Sequence, residues 1–261
     1  MQDLRVTTIQ TNLYWNDIQA NLSNLEEKIW SLSNQTDLII LPEMFTTGFT
    51  MEVNKLAEHS NLTTFRWMKQ MAAQTNAVIC GSYIVAENQQ FFNRLVWMQP
   101  DGKYEKYDKK HLFRMADEHQ FYTAGNEKLL VKLKGWVINP MICYDLRFPV
   151  WSRNTIENQY DIAIYIANWP QKRALHWNAL LKARAIENLC YTIGVNRVGN
   201  DGKGIHYAGD TSVIDMKGEI IYTQSEIEEI KTITLNHENL IDYRKAFPAY
   251  LDADKFEIII N

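Results

Sequence analysis

The chain has 261 residues, 46% of them hydrophobic and 22% charged, with a formal net charge of −4. That balance supports a large buried core and argues against a disordered chain. The densest positive cluster, Lys103, Lys106, Lys109 and Lys110, is broken by Asp101, Glu105 and Asp108, so nucleic acid is not an expected partner.

The first residues, Met-Gln-Asp-Leu-Arg-Val, put charge where a secretory signal needs an apolar run. Apolar runs such as Asp161–Ala167 are far too short to span a membrane. Three cysteines, Cys80, Cys143 and Cys190, are odd in number and widely spaced. That usage fits reduced thiols in the cytosol and directs attention to thiol reactivity. With no Pro/Gly/Ser-rich linker or composition shift, residues 1–261 read as a single α/β domain.

Taken in chain order, Leu4–Ile9 predicts a strand. A helix follows, with Ile18, Leu22, Leu25, Ile29 and Leu32 at steps of three and four. Asp37–Leu41 is a buried-type strand running into Pro42-Glu43. Thr63–Thr75 is a second amphipathic helix, its stripe Phe65, Met68, Met71 and Ala72. Ala77–Val85 and Phe91–Met98 are strands joined by a polar turn, and Tyr104–Tyr107 a short strand after Asp101-Gly102. His111–Gly125 has no clear period, and long irregular segments in compact domains tend to be functional.

Strands are expected at Lys128–Leu133 and Trp136–Cys143, then a helix near Pro149. Asp161–Ala167 is a buried strand and Lys172–Asn188 a helix. Tyr191–Asn196, Thr211–Asp215 and Thr232–Leu235 read as strands. Strand–helix alternation implies α/β layers. There is no dinucleotide-binding fingerprint, and Gly199 to Gly204 lacks the spacing of a phosphate loop.

Three polar residues stand where apolar strands end: Glu43, Cys143 and Asn168. Ligands of open α/β sheets sit beyond the carboxyl ends of strands, so distant segments could meet there. Taken singly, Glu43, Cys143 and Lys109 each have an ordinary explanation: a loop-surface charge, a small buried hydrophobe, a solvent-exposed lysine.

Their surroundings are more specific. Leu41-Pro42-Glu43-Met44-Phe45 resembles the glutamate motif of the nitrilase superfamily of carbon–nitrogen hydrolases. Tyr107-Asp108-Lys109-Lys110-His111-Leu112-Phe113 resembles its lysine motif, and Ile142-Cys143-Tyr144-Asp145-Leu146-Arg147-Phe148-Pro149 its nucleophile motif. The lysine two residues before His-Leu is the one that pattern selects, Lys109 over Lys110. Ala167-Asn168-Trp169-Pro170, Arg173, His176-Trp177 and the Tyr243-Arg244-Lys245 tail are similar to amidase-type members, bacterial omega-amidases above all.

The resemblance implies a four-layer α-β-β-α sandwich, completed as eight layers in a homodimer or higher homo-oligomer. It implies a catalytic set of Cys143, Glu43 and Lys109, with Glu118, seven residues before Gly125, as a second glutamate. Glu43 is the expected general base and the Tyr144 backbone N–H an oxyanion donor beside Lys109. The substrate expected is a small amide, with Arg147, Trp169 and Arg173 contacting it and no metal or organic cofactor. Either arginine could instead be a structural ion-pair partner.

A papain-like site would need a histidine base, yet His111, His176 and His206 sit in no matching local signature. Zinc is not expected, because no Cys/His pairs have ligand spacing. A nitrile or an N-carbamoyl group would meet the same Glu-Lys-Cys set and stands as the alternative substrate class.

Overall fold

The computed structural model describes residues 2–59 and 61–259. The first apolar run forms β1 (Leu4–Gln10). Asp17 then caps α1 (Ile18–Trp30), its carboxylate accepting the Ala20 N–H at 2.9 Å. The chain continues through β2 (Leu38–Ile40), the short α2 (Val53–Leu56) and β3 (Glu58–His59) to α3 (Thr63–Thr75). Then come β4 (Val78–Glu87), β5 (Gln90–Met98), β6 (Tyr104–Asp108) and the short α4 (Glu118–Phe121). β7 (Val131–Leu133), β8 (Trp136–Ile142), α5 (Pro149–Ser152), β9 (Ile162–Ala167) and α6 (Ala174–Asn188) follow. After β10 (Tyr191–Asn196) come β11 (Val198–Asn200), β12 (His206–Ile214), β13 (Ile220–Ser225), β14 (Glu229–Leu235) and α7 (His237–Ala246).

The strands make two seven-stranded sheets. One runs β14-β1-β2-β4-β5-β6, with β3 beside β4; the other runs β11-β12-β10-β9-β8-β7, with β13 beside β12. β1, β2 and β4 are parallel neighbours, as are β8, β9 and β10. Parallel neighbours need crossovers. α1, α3, α5 and α6 supply them in turn.

Alternation along the strands decides what each face touches. In the first sheet Ile39, Ile79, Val96 and Met98 pack with Leu22, Leu25 and Ile29 of α1 and with Met68 and Met71 of α3. Their neighbours Leu38, Ile40, Val78, Cys80, Leu95 and Trp97 join a cluster with the second sheet. There Ile164 and Ile166 of β9 lie in register with Ile193 and Val195 of β10. Between those two, Gly194 faces Trp177 and Leu181 of α6. The layers are therefore helices, sheet, sheet and helix, the four-layer sandwich expected. With both faces covered, β9 is buried at every position, which explains its unbroken apolar run.

Some elements differ from the sequence reading. The strand expected at Lys128–Leu133 pairs only over Val131–Leu133, because Lys128 and Leu130 are exposed. β11, β13 and α7 were not expected. β13 is mostly exposed on both sides and carries no alternation, while α7 buries only His237, Leu240 and Arg244. Among the described residues, no helix is long and apolar enough to cross a membrane.

The closeness of α6 to the second sheet gives a test. A Cβ on Gly194 would stand 2.4 Å from Leu181 Cδ1 and 2.6 Å from Trp177 Cζ2. Gly194→Ala should destabilise the fold by about 1–3 kcal/mol, the usual cost of overpacking. Urea unfolding measures it; an unchanged midpoint would mean that α6 has room to spare.

Candidate active site

Four polar side chains enter one space from the carboxyl ends of strands. Glu43 lies three residues beyond β2, Lys109 follows β6, Cys143 follows β8 and Asn168 follows β9. The turn that carries Glu43 is anchored by β4: Ser82 Oγ accepts the Met44 N–H at 2.9 Å, and the Ser82 carbonyl accepts the Phe45 N–H at 3.0 Å. Met44 and Cys143 both have φ of 44°, a left-handed backbone that side-chain-bearing residues adopt at a cost. Each turn bends sharply beside its functional residue.

Glu43 is fully buried and every contact it makes is with a donor. Its Oε1 accepts from Asn93 Nδ2 and from Lys109 Nζ, each at 2.8 Å, and its Oε2 accepts the Asn168 backbone N–H at 2.8 Å. Asn168 Nδ2 in turn donates to the Glu43 carbonyl. Lys109 Nζ also donates to both oxygens of Glu118 at 3.0 Å and lies 5.1 Å from the Phe49 ring centre. Glu118 opens α4 and accepts the Phe113 N–H at 2.6 Å. The expected partners meet. Lys110 turns away, its ammonium over the Trp151 ring at 5.5 Å.

The charges of this cluster depend on one another. Burial opposes the ammonium of Lys109, but the carboxylates of Glu118 and Glu43 outweigh it and hold the pKa above the ordinary lysine value. Burial raises the pKa of Glu118, and Glu43 adds to the rise while Lys109 works against it. The Cys143 thiol is pushed well above its usual value by burial, then by the charge of Glu43, with Lys109 opposing. Burial and the neighbouring Glu43 charge both favour the neutral thiol of Cys143. The Tyr144 N–H, in the first turn of the 3-10 helix Cys143–Arg147, belongs to the amides that have no acceptor within a helix.

In front of the thiol a small pocket opens, with room of about 80 Å³ inside it. Phe49, Phe113 and Trp169 give it apolar walls; Arg147, Arg173 and Lys203 give it positive charge. The Arg147 guanidinium lies 4.9 Å from the Trp169 ring centre and donates to His176 Nδ1 at 2.9 Å. Arg173 lies over Phe113 at 5.3 Å. Its pKa is lowered by burial first and by the charge of Arg147 second, so the two cations feel each other. Among the described residues every arginine–carboxylate pair involves Arg5, Arg94, Arg184 or Arg244, and neither pocket arginine has one.

Several residues of this site were not singled out in the sequence. Asn93 is one: it lies in β5 beside Arg94, with nothing in the local sequence to set it apart. Tyr207, Asp201 and Lys203 belong to the pocket although the Gly199–Gly204 stretch had been read only as an unsuitable phosphate loop. There Tyr207 OH donates to Asp201 Oδ2 at 3.0 Å, while Asp201 Oδ1 accepts the N–H groups of Lys203 and Ile205, each at 2.9 Å.

A two-sheet sandwich that gathers a thiol, an ammonium and one carboxylate at its strand ends, with a second carboxylate from a short helix, defines a hydrolytic enzyme. A model of the carbon–nitrogen hydrolase family matches residues 5–245, and the chain belongs to that family. It is 47% identical over 261 residues to the omega-amidase YafV of Escherichia coli (strain K12), covering 99% of this chain and 100% of that protein. It is 29% identical to the 2-oxoglutaramate amidase of Bacillus subtilis (strain 168), over 96% of this chain and 97% of the relative. The crystal structure of XC1258 from Xanthomonas campestris, a CN-hydrolase superfamily protein with an arsenic adduct in its active site, has a TM-score of 0.97. It is 44% identical and covers 99% of this chain and 100% of its own.

The electrostatics predict an outcome for Glu43→Gln. Removing a negative charge beside Cys143 favours the charged thiolate, so the thiol pKa should fall. The pH midpoint of iodoacetamide labelling at Cys143 should move down in the variant. A midpoint that stays or rises would show that the Glu43 charge adds nothing to the rise that burial imposes.

Proposed function

We propose that this enzyme hydrolyses the terminal amide of a small carboxylic acid monoamide, best a 2-oxo dicarboxylic one, through a cysteine thioester. The observation that carries this reading is Lys109 clasped between Glu43 and Glu118, with the Cys143 thiol and two unpaired arginines in the same space. The relatives named for omega-amidase and 2-oxoglutaramate activity support the substrate class.

The amide seats beside Cys143, and Glu43 takes the thiol proton as Sγ bonds to the amide carbon. Lys109 and the Tyr144 N–H receive the developing oxyanion. The C–N bond then breaks, Glu43 returns the proton to nitrogen, and ammonia leaves a thioester on Cys143. Water attacks that carbon, losing a proton to Glu43; the C–S bond breaks, the proton returns to sulfur and the acid departs. Glu118 keeps Lys109 charged and in place. Arg147 and Arg173 grip the carboxylate at the other end of the substrate, against the face of Trp169. The same reading takes residues 1–261 as one domain working in the cytosol, where free thiols such as Cys80, Cys143 and Cys190 persist. It also takes the molecule as a homodimer or higher homo-oligomer, supported by Leu175 and Ile186 standing exposed on α6.

Two outcomes follow. Lys109→Ala should cost at least ~2.7 kcal/mol of transition-state stabilisation, as loss of an oxyanion donor does. Lys110→Ala should cost little. Ammonia release measures both, and equal losses would mean that the wrong lysine has been assigned.

The second outcome concerns the arginines. A charge-assisted hydrogen bond to a carboxylate contributes roughly 1.5–3 kcal/mol. A 2-oxo acid monoamide should therefore exceed an uncharged amide of equal length by about ten- to a hundred-fold in kcat/KM. Arg147→Met or Arg173→Met should erase that preference and spare the uncharged amide. No preference in the wild type would leave a general amide hydrolase, and a panel including nitriles and N-carbamoyl compounds would show which other group is taken.

A further inference from the structure

Asp145 follows the nucleophile by two residues, is fully buried and touches no part of the pocket. Its carboxylate accepts four hydrogen bonds. Oδ2 takes the Ile142 N–H at 3.0 Å and the Tyr107 hydroxyl at 2.7 Å. Oδ1 takes the His111 N–H at 3.0 Å and, at 2.8 Å, the His111 ring through Nδ1. A carboxylate offers about four lone-pair sites, and all are used here.

The placement of those four donors is the telling fact. Ile142 immediately precedes Cys143, so one bond spans the turn that holds the thiol at φ 44°. Tyr107 and His111 lie two residues before and two after Lys109. Both ends of the lysine segment are thus tied to the nucleophile turn by one buried charge. The tie is braced from outside: Trp151 Nε1 donates to Tyr107 OH at 3.0 Å, and the His111 ring stacks on Phe148 at 3.8 Å.

We propose that Asp145 is a positioning residue of the reaction: it fixes the Lys109 segment against the Cys143 turn, so that ammonium, Tyr144 N–H and thiol converge on one substrate oxygen and carbon. This rests on the catalytic reading of Cys143 and Lys109 above. Geometry demands such a device, because the two segments come from different sheets and a displacement of about 1 Å can cost a hundred-fold in rate. Asn cannot replace it. An amide has one acceptor oxygen and presents N–H groups at the other end, where a donor pair already stands.

The test is a double-mutant cycle on turnover per folded molecule, with Asp145→Asn and Lys109→Ala alone and combined. Asp145→Asn should lower kcat by ~10²-fold, within the range for loss of an oxyanion donor, and change KM little. The combined variant should be no more than about ten-fold worse than Lys109→Ala, since residues acting through one another are not additive. Asp161→Asn, which breaks a buried pair with Arg244 far along the chain, is the structural benchmark and should lower Tm while keeping kcat per folded molecule. If Asp145→Asn does not fold, Tyr107→Phe, which removes one tether, enters the same cycle. Additive losses, or a lowered Tm with kcat retained, would overturn the positioning role alone. An indifferent Lys109→Ala would overturn the catalytic reading and this proposal with it.

Discussion

A lysine ammonium with 1% of its surface exposed is unfavourable in isolation, because a buried cation of that kind sheds its proton. Here Lys109 is held charged by two carboxylates that are themselves buried, and each of those is tolerable only because the ammonium is there. Breaking a buried ion pair by removing one partner typically costs ~3–5 kcal/mol, so the three groups stand or fall together. The surrounding donors make sense on this basis. Asn93 and the Asn168 N–H fill remaining acceptor positions on Glu43, and the Phe113 N–H does so on Glu118, without adding a second cation that would depress the carboxylates.

That cluster needs β2, β6, β8 and β9 to end at one edge, beside Asn93 within β5, and the sandwich arranges it. With parallel central strands, the carboxyl ends of β2, β8 and β9 carry Glu43, Cys143 and Asn168 directly to the site. Left-handed residues at Met44 and Cys143 store strain at the two turns, and both turns are pinned by hydrogen bonds. Rigid strands and pinned turns serve the same end, which is to hold the Cys143 thiol and the Glu43 carboxylate in one place.

Much of this was legible in the sequence, and the reason is physical. Fully buried strands leave unbroken apolar runs and two-sided helices leave a period, so β1, α1, β9 and α6 could be read within a few residues. Glu43, Lys109 and Cys143 were legible because the local motifs around them are specific. Elements with little buried surface left no period: β13 is nearly all exposed, and α7 has a sparse stripe. Asn93 was illegible for a different reason. A polar residue in a strand has no meaning until the carboxylates that need its N–H groups are placed beside it from distant parts of the chain.

The pocket shows the same limit from the opposite direction. An arginine followed along the sequence could equally be a salt-bridge partner or a ligand for substrate, and composition does not separate the two. The structure narrows the choice: Arg94, Arg184 and Arg244 are spent on carboxylates, whereas Arg147 and Arg173 lie over aromatic rings, and the charge of Arg147 lowers the pKa of Arg173. Neither guanidinium pairs with a carboxylate among the described residues, although Asp201 lines the same pocket, so on the proposed reading a substrate anion would supply the missing counter-charge. The machinery that would break the bond is therefore carried on rigid strand ends. Arg147, Trp169 and Arg173 line the pocket in front of it and share no hydrogen bond with the Lys109 ammonium, whose bonds all go to Glu43 and Glu118.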